Sequence, residues 1–225
     1  MPTYRAAGTS KPRSANRREA TRQRLIDAAR RLLSEQGYEH TSVTQIAEEA
    51  GVTHSLINAY FGGKAGLLHA VRMAQNKDQL SVMHEMRPLN GTLRERLSTA
   101  VGHWTEHALQ DRELLAVLQA YSWQWPQETE DMEQAQRREM LKPLAAALQV
   151  GVDAGQLRSD LDIPSALEVL RSIFNQALRQ ALFENLTPEE CQQIIVKRFD
   201  IVWDGILEHR EDAVGDQHTP ASNFS

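Results

Sequence analysis

Cysteine occurs once in 225 residues, as Cys191, which rules out an intrachain disulfide and any zinc site built from cysteines. No stretch of eighteen or more apolar residues occurs, so nothing in the sequence reads as a membrane span. The opening MPTYRAAGTSKPRSANRR has basic side chains but lacks the apolar stretch that a secretory signal requires. Together these absences predict a cytoplasmic protein with no membrane partner. Aromatic residues are few, at 6%, and no segment repeats another. What is present is an apolar share of 41%, the composition of a folded globular chain, in a length that suits one large domain or two modest ones.

The net charge of −5 is unevenly spread. Residues 1–75 hold eleven Lys or Arg against six Asp or Glu, which leaves fourteen against twenty-four for the other 150. A basic first third attracts phosphates and an acidic remainder is repelled by them, so charge alone would turn the N-terminal end toward a nucleic acid.

That end contains Ser42–Leu68, SVTQIAEEAGVTHSLINAYFGGKAGLL. Ser42 with Gln45 is a capping box, and Val43, Ile46, Ala47 and Ala50 give a short helix one apolar face. Gly51 ends it, because glycine accepts the left-handed backbone of a helix terminus. Thr53 is expected to cap a second short helix, with Ile57 and Phe61 inward and His54, Ser55, Asn58 and Ala59 outward. Small hydrogen-bonding groups on an outward face suit a DNA major groove, and asparagine can pair bidentately with adenine. The plain alternative is a helical hairpin inside a larger α-domain. Upstream, Gln23–Gln36 is amphipathic through Leu25, Ile26, Ala29, Leu32 and Leu33 and ends at Gly37.

Three helices in this order resemble the TetR family of bacterial transcriptional regulators. The matching residues are Ala28-Ala29, Leu32-Leu33, Gly37-Tyr38, Thr41-Ser42-Val43, Ile46-Ala47, Ala50-Gly51-Val52, Tyr60-Phe61, Lys64 and Leu67-Leu68. The GGKAGLL turn is similar to the choline-responsive branch. The chain departs from the pattern at Asn58, where most relatives carry an aromatic residue. The resemblance implies an all-α fold of about nine helices, with a helix-turn-helix domain followed by an effector-binding and dimerisation domain. It also implies phosphate contacts from Thr44, Thr53, Tyr60 and Lys64, alongside the base-reading candidates His54, Ser55 and Asn58. The expected division is a basic arm over 1–15, the helix-turn-helix over 16–70, the second domain over 71–209 and a tail over 210–225.

Helical spacing continues from Lys64 to about Met86, from Thr92 to Ala108, from Asp111 to Trp123, and after Pro126 to about Ala154. The last two helices, from Pro164 and from Pro188, have apolar stripes wider than one buried face needs. A self-complementary face closes as a two-fold dimer. By the resemblance, these two helices pair with their mates as a four-helix bundle. Phe174, Leu178, Ile195, Phe199, Val202 and Ile206 are assigned to that face.

Within the second domain, His103-Trp104-Thr105-Glu106-His107 fits the H-x-x-E-H pattern of one class of zinc peptidase. Such a site needs a third ligand, and only generic glutamates are on offer, so no metal and no cofactor are expected. Trp104, His103, His107, Tyr121, Trp125 and Phe174 are instead expected around an effector cavity. Acidic charge with several tryptophans would suit a cationic or aromatic ligand. Cys191 has no basic neighbour in sequence to activate it and reads as buried filler. The resulting expectation is a homodimeric, non-enzymatic DNA-binding regulator, a repressor released from a palindromic operator by a small molecule. A DNA-binding architectural or partner-recruiting protein without an effector is the alternative, and the zinc metallopeptidase is a remote third.

Overall fold

The computed structural model describes residues 13–85, 91–121 and 129–206, and these residues form nine helices and no strand. In chain order they are α1 (Arg13–His40), α2 (Val43–Glu49), α3 (Ser55–Phe61), α4 (Lys64–Glu85), α5 (Leu93–Leu109), α6 (Arg112–Ala120), α7 (Glu130–Asp153), α8 (Ile163–Glu184) and α9 (Pro188–Ile206). The all-α reading and the order of helices agree with the sequence. The expected basic arm overlaps α1, which already includes Arg13, Arg17 and Arg18.

Capping side chains set several of these boundaries. Ser42 and Gln45 exchange hydrogen bonds at the start of α2, Thr92 and Glu95 do so before α5, and Thr187 and Glu190 before α9. Each pair satisfies backbone N–H groups that have no partner within the helix. Gly37 interrupts α1 with φ 74° and ψ 178°, a backbone that a side chain would strain. Beyond the break, the buried Thr41 hydroxyl donates to the Gly37 carbonyl at 2.7 Å and so fixes the entry to α2.

Two apolar cores result. The first gathers Leu25, Ile46, Ile57, Leu67 and Val71 from α1–α4, completed by Leu114 and Leu118 of α6. The second gathers Val101, Leu148, Leu170, Ala177, Ile195 and Phe199, and includes Leu115 of α6. A single nine-residue helix thus places adjacent sides in the two cores. Arg112 at its start also donates to the carbonyls of Ala181 at 3.1 Å and of Leu186, at the C-terminal end of α8.

α9 packs along both α5 and α8. Its wide stripe therefore serves two neighbours in the same chain. Leu178, Ile195, Phe199 and Ile206, expected at a dimer face, are 4, 0, 7 and 8% exposed within the protomer core. Phe174 and Val202 are only half-buried. The large apolar groups that point outward from α8 and α9 are Val169, 46% exposed, and Phe183 and Ile201, each 74% exposed. Stripe width reported the number of neighbours correctly but could not say which chain supplied them. Cys191 is fully buried in the second core, and burial pushes its thiol up to about 11. No helix among the described residues is long and apolar enough to cross a membrane.

Candidate functional site

The turn between α2 and α3 is short because Gly51 adopts φ 64° and the N–H of Val52 donates back to the Ala47 carbonyl at 2.9 Å. α3 then begins one residue later than the sequence suggests. Its N-cap is His54, with no side-chain capping bond, and Thr53 Oγ1 instead lies 3.1 Å from Ser55 Oγ. The carbonyls of Thr53 and His54 accept the N–H groups of Leu56 and Ile57, so a tight first turn replaces the expected hydroxyl cap.

Ile57 is fully buried and fixes the rotation of α3 about its axis. As a consequence Thr53, His54, Ser55 and Asn58 are all exposed, as is Thr44 on α2. The structure therefore leaves these expected contact residues open to solvent. Asn58 and His54, four residues apart, lie on the same side of α3.

Tyr60 and Lys64 differ from the simplest expectation. Tyr60 is half-buried, edge-on to Phe61 at 6.2 Å, with the Arg18 guanidinium 5.4 Å from its ring centre. The ammonium of Lys64 donates to the Tyr38 carbonyl and lies 3.8 Å from the centre of the Tyr38 ring. Burial holds the Lys64 pKa below the ordinary lysine value. Lys64 thus clamps the start of α4 to the end of α1. Arg22, a turn beyond Arg18 on α1, sits 5.4 Å from the Phe61 ring. These two arginines extend the basic rim of the surface. Arg18 and Arg22 are absent from the phosphate contacts that the resemblance implied, although their spacing of four on an amphipathic helix was the available signal.

The junction of α3 and α4 depends on Gly66. A Cβ there would collide with the carbonyl of Phe61, so the two helices meet with backbone against backbone. This explains the third glycine of GGKAGLL as a packing requirement.

In the second core the effector candidates separate. Trp104 and Phe174 meet edge-on, with ring centres 6.1 Å apart, across α5 and α8. Trp104 Nε1 and His107 Nε2 are sealed from solvent and have no hydrogen-bond partner among the described residues. His103 and Glu106 are exposed, so the H-x-x-E-H residues do not share one environment. No three His, Cys, Asp or Glu among the described residues gather closely enough to hold a metal ion. Tyr121 is not near Trp104. It stacks on Tyr38 at 4.0 Å and donates to Glu39, a bond that pushes its hydroxyl pKa up to about 12. The chain returns at the end of α6 to the N-terminal core, which carries Tyr121 away from the expected cavity. Trp123 and Trp125 lie outside the described residues. A recess between α5 and α9, lined by Arg94, Leu97, Ser98, Val196, Phe199, Asp200 and Trp203, encloses about 20 Å³, room for about one water.

Residues 25–71 match the family of bacterial regulatory proteins described as the tetR family. The HTH-type transcriptional regulator SrpR of Pseudomonas putida is 28% identical over 190 residues, covering 82% of this chain and 84% of SrpR. The HTH-type transcriptional regulator BetI of Escherichia coli (strain K12 / DH10B) is 37% identical over 84 residues, 36% of this chain and 43% of BetI. Among solved structures, SmeT, the repressor of the Stenotrophomonas maltophilia multidrug efflux pump SmeDEF, superposes with a TM-score of 0.60 at 22% identity. That superposition covers 92% of this chain and 99% of SmeT, and it reports on the fold.

Proposed function

We propose that this chain, which belongs to the TetR family of bacterial transcriptional regulators and binds DNA, is a dimeric repressor that a small molecule releases from a palindromic operator. The observation that carries the reading is the outward row of Thr53, His54, Ser55 and Asn58, held in place by buried Ile57. One such row reads one half-site. Two rows on one face of B-DNA must lie about 34–36 Å apart to enter successive major grooves. Asn58 and His54 are assigned to base edges. Thr44, Thr53 and Tyr60 are assigned to phosphates, with Arg18 and Arg22 beside them. Phe183 and Ile201 are assigned to the dimer face, together with half-buried Val202.

Two buried groups without hydrogen-bond partners among the described residues support an effector at the Trp104–Phe174 contact. An unsatisfied buried polar atom costs about 1–3 kcal/mol, and a bound molecule that reaches Trp104 Nε1 and His107 Nε2 removes that cost. A ligand that prefers one arrangement of the two cores shifts the population toward it. Selection of random duplexes by the purified protein tests the DNA-reading half. A two-fold symmetric sequence is expected, and recovery of unselected sequence would overturn it. Trp104→Ala tests the other half, with operator affinity retained and effector response altered. A response untouched by Trp104→Ala would favour the regulator without an effector.

A further inference from the structure

Between α4, α7 and α8 lies a polar cluster that the DNA-reading surface does not use. Its register is set by direct contacts. His69 Nε2 lies 3.0 Å from Glu133 Oε1, Gln136 donates to the Met73 carbonyl at 2.9 Å, and Asn76 donates to Gln136 at 2.7 Å. This pairing of α4 with α7 places Arg137 beside Arg72. From α8, Arg171 is tied to Glu168 at 3.0 Å and 2.5 Å.

The cluster is out of electrostatic balance. Arg72 feels one carboxylate, Glu133, and two like charges, Arg137 and Arg171. Counting Glu168 as well, three guanidinium groups face two carboxylates, an excess of one positive charge. The Arg72 Nε is sealed from solvent and has no hydrogen-bond partner among the described residues. A desolvated guanidinium pushed by two others is costly unless something supplies the missing charge. Guanidinium groups match a carboxylate with paired, parallel N–H bonds.

Phe174 stands three residues after Arg171 on α8, on the same side of the helix, and packs edge-on against Trp104. The charged cluster and the aromatic wall are therefore neighbours. We propose that this region binds an organic monoanion, a carboxylate with an apolar body, whose charged end meets Arg72, Arg137 and Arg171 and whose body lies against Trp104 and Phe174. The ligand class has the sign opposite to the cation that the acidic composition and the tryptophans suggest. This inference deepens the effector-site reading above and rests on it for its apolar half. It also gives the effector a grip on the reading surface, because Arg72 lies on the helix that Lys64 clamps to α1.

The test compares three probes with the same chain length, octanoate, octylammonium and octanol, by calorimetric titration of the full-length protein. Octanoate is expected to bind most tightly. Arg72→Gln and, on the more exposed side, Arg171→Gln should each weaken octanoate by about tenfold or more while changing octanol little. Glu133→Gln should strengthen octanoate, since it keeps the shape and removes a competing negative charge. A gain of affinity is an outcome that mere damage to the fold does not give. Lack of preference for octanoate over octylammonium, including failure of both to bind, would overturn the proposal. Octanol and octylammonium binding as well as octanoate would remove the anion site yet leave an effector pocket. Octanoate binding that survives Trp104→Ala but not Arg72→Gln would keep the arginine site and refute the apolar wall.

Discussion

Ser34 on α1 donates to Asp111, the N-cap of α6, at 2.5 Å, while the other carboxylate oxygen of Asp111 accepts the Leu114 N–H at 3.0 Å. One side chain thus starts α6 and fastens it to α1. Because α6 contributes Leu114 and Leu118 to one core and Leu115 to the other, Asp111 holds the helix that joins them. Asp111→Ala is expected to cost about 1–2 kcal/mol of stability, the range for a lost N-cap. Urea unfolding should show a lower midpoint with an unchanged slope. Asp111→Asn, which retains a capping oxygen, should lose much less.

Asn58 is exposed on the outward row of α3, whereas Lys64 is held by the Tyr38 carbonyl and ring. Their substitutions should differ in kind. Asn58→Ala should relax preference at one base pair per half-site by about 1–3 kcal/mol, with protein stability unchanged. Lys64→Ala should lower stability by releasing α4 from α1 and weaken binding similarly on all sequences, with the salt slope little changed because its ammonium is engaged by Tyr38. A sequence preference unchanged by Asn58→Ala would remove its base-reading role.

Gly66→Ala places a methyl group against the Phe61 carbonyl, and backbone on both sides leaves little room to yield. Overpacking of this kind costs about 1–3 kcal/mol. The α3–α4 junction must open to accept it, so operator affinity should fall even at temperatures where the variant remains folded. Circular dichroism and a binding titration on the same sample check both parts.

The order of helices was legible in the sequence because caps, glycine breaks and apolar spacing act locally. Ser42 with Gln45 formed the capping box where the pattern placed it, and α5 begins after Thr92 as its spacing suggests. The exposed side of α3 was legible for the same reason, since apolar spacing marks Ile57 as inward and the structure buries it. What escaped was pairing between distant segments. Phe199 and Ile195 carry the apolar signature of an interface, but α5 and α8 of the same chain cover them. Tyr121 has the composition of a pocket aromatic, yet α6 delivers it to Tyr38. The arginine cluster was not visible because Arg72, Arg137 and Arg171 are far apart in sequence and each reads alone as a solvated charge.

Phe183 and Ile201 are the most exposed large apolar groups of α8 and α9. Replacing both with glutamate should leave the protomer folded, since neither contributes to its core. In a dry interface the same charges cost several kcal/mol, so sedimentation should shift from dimer to monomer and operator affinity should collapse. Phe199→Glu should instead unfold the protomer, because Phe199 lies in the second core. Dimers that survive Phe183→Glu with Ile201→Glu would place the interface elsewhere.

Glu133 contributes to the acid limb of stability. The hydrogen bond from His69 is the largest influence on its carboxyl, and together with the charge of Arg72 it outweighs the opposing effect of burial. The carboxyl is therefore held below its ordinary value of 4.5. A group with a lower pKa in the folded state binds fewer protons there than when unfolded. Its contribution is present above 4.5 and is lost as pH falls through the folded value. Glu133→Gln keeps the shape but cannot titrate. At neutral pH the variant should be less stable than wild type, because Arg72 and His69 lose a charged partner. The difference should shrink as pH is lowered from about 6 to about 3, since wild type alone loses the ion pair. Urea unfolding of both proteins across that range checks the sign. A stability gap that stays constant with pH would mean that the Glu133 carboxylate contributes no charge-dependent stability.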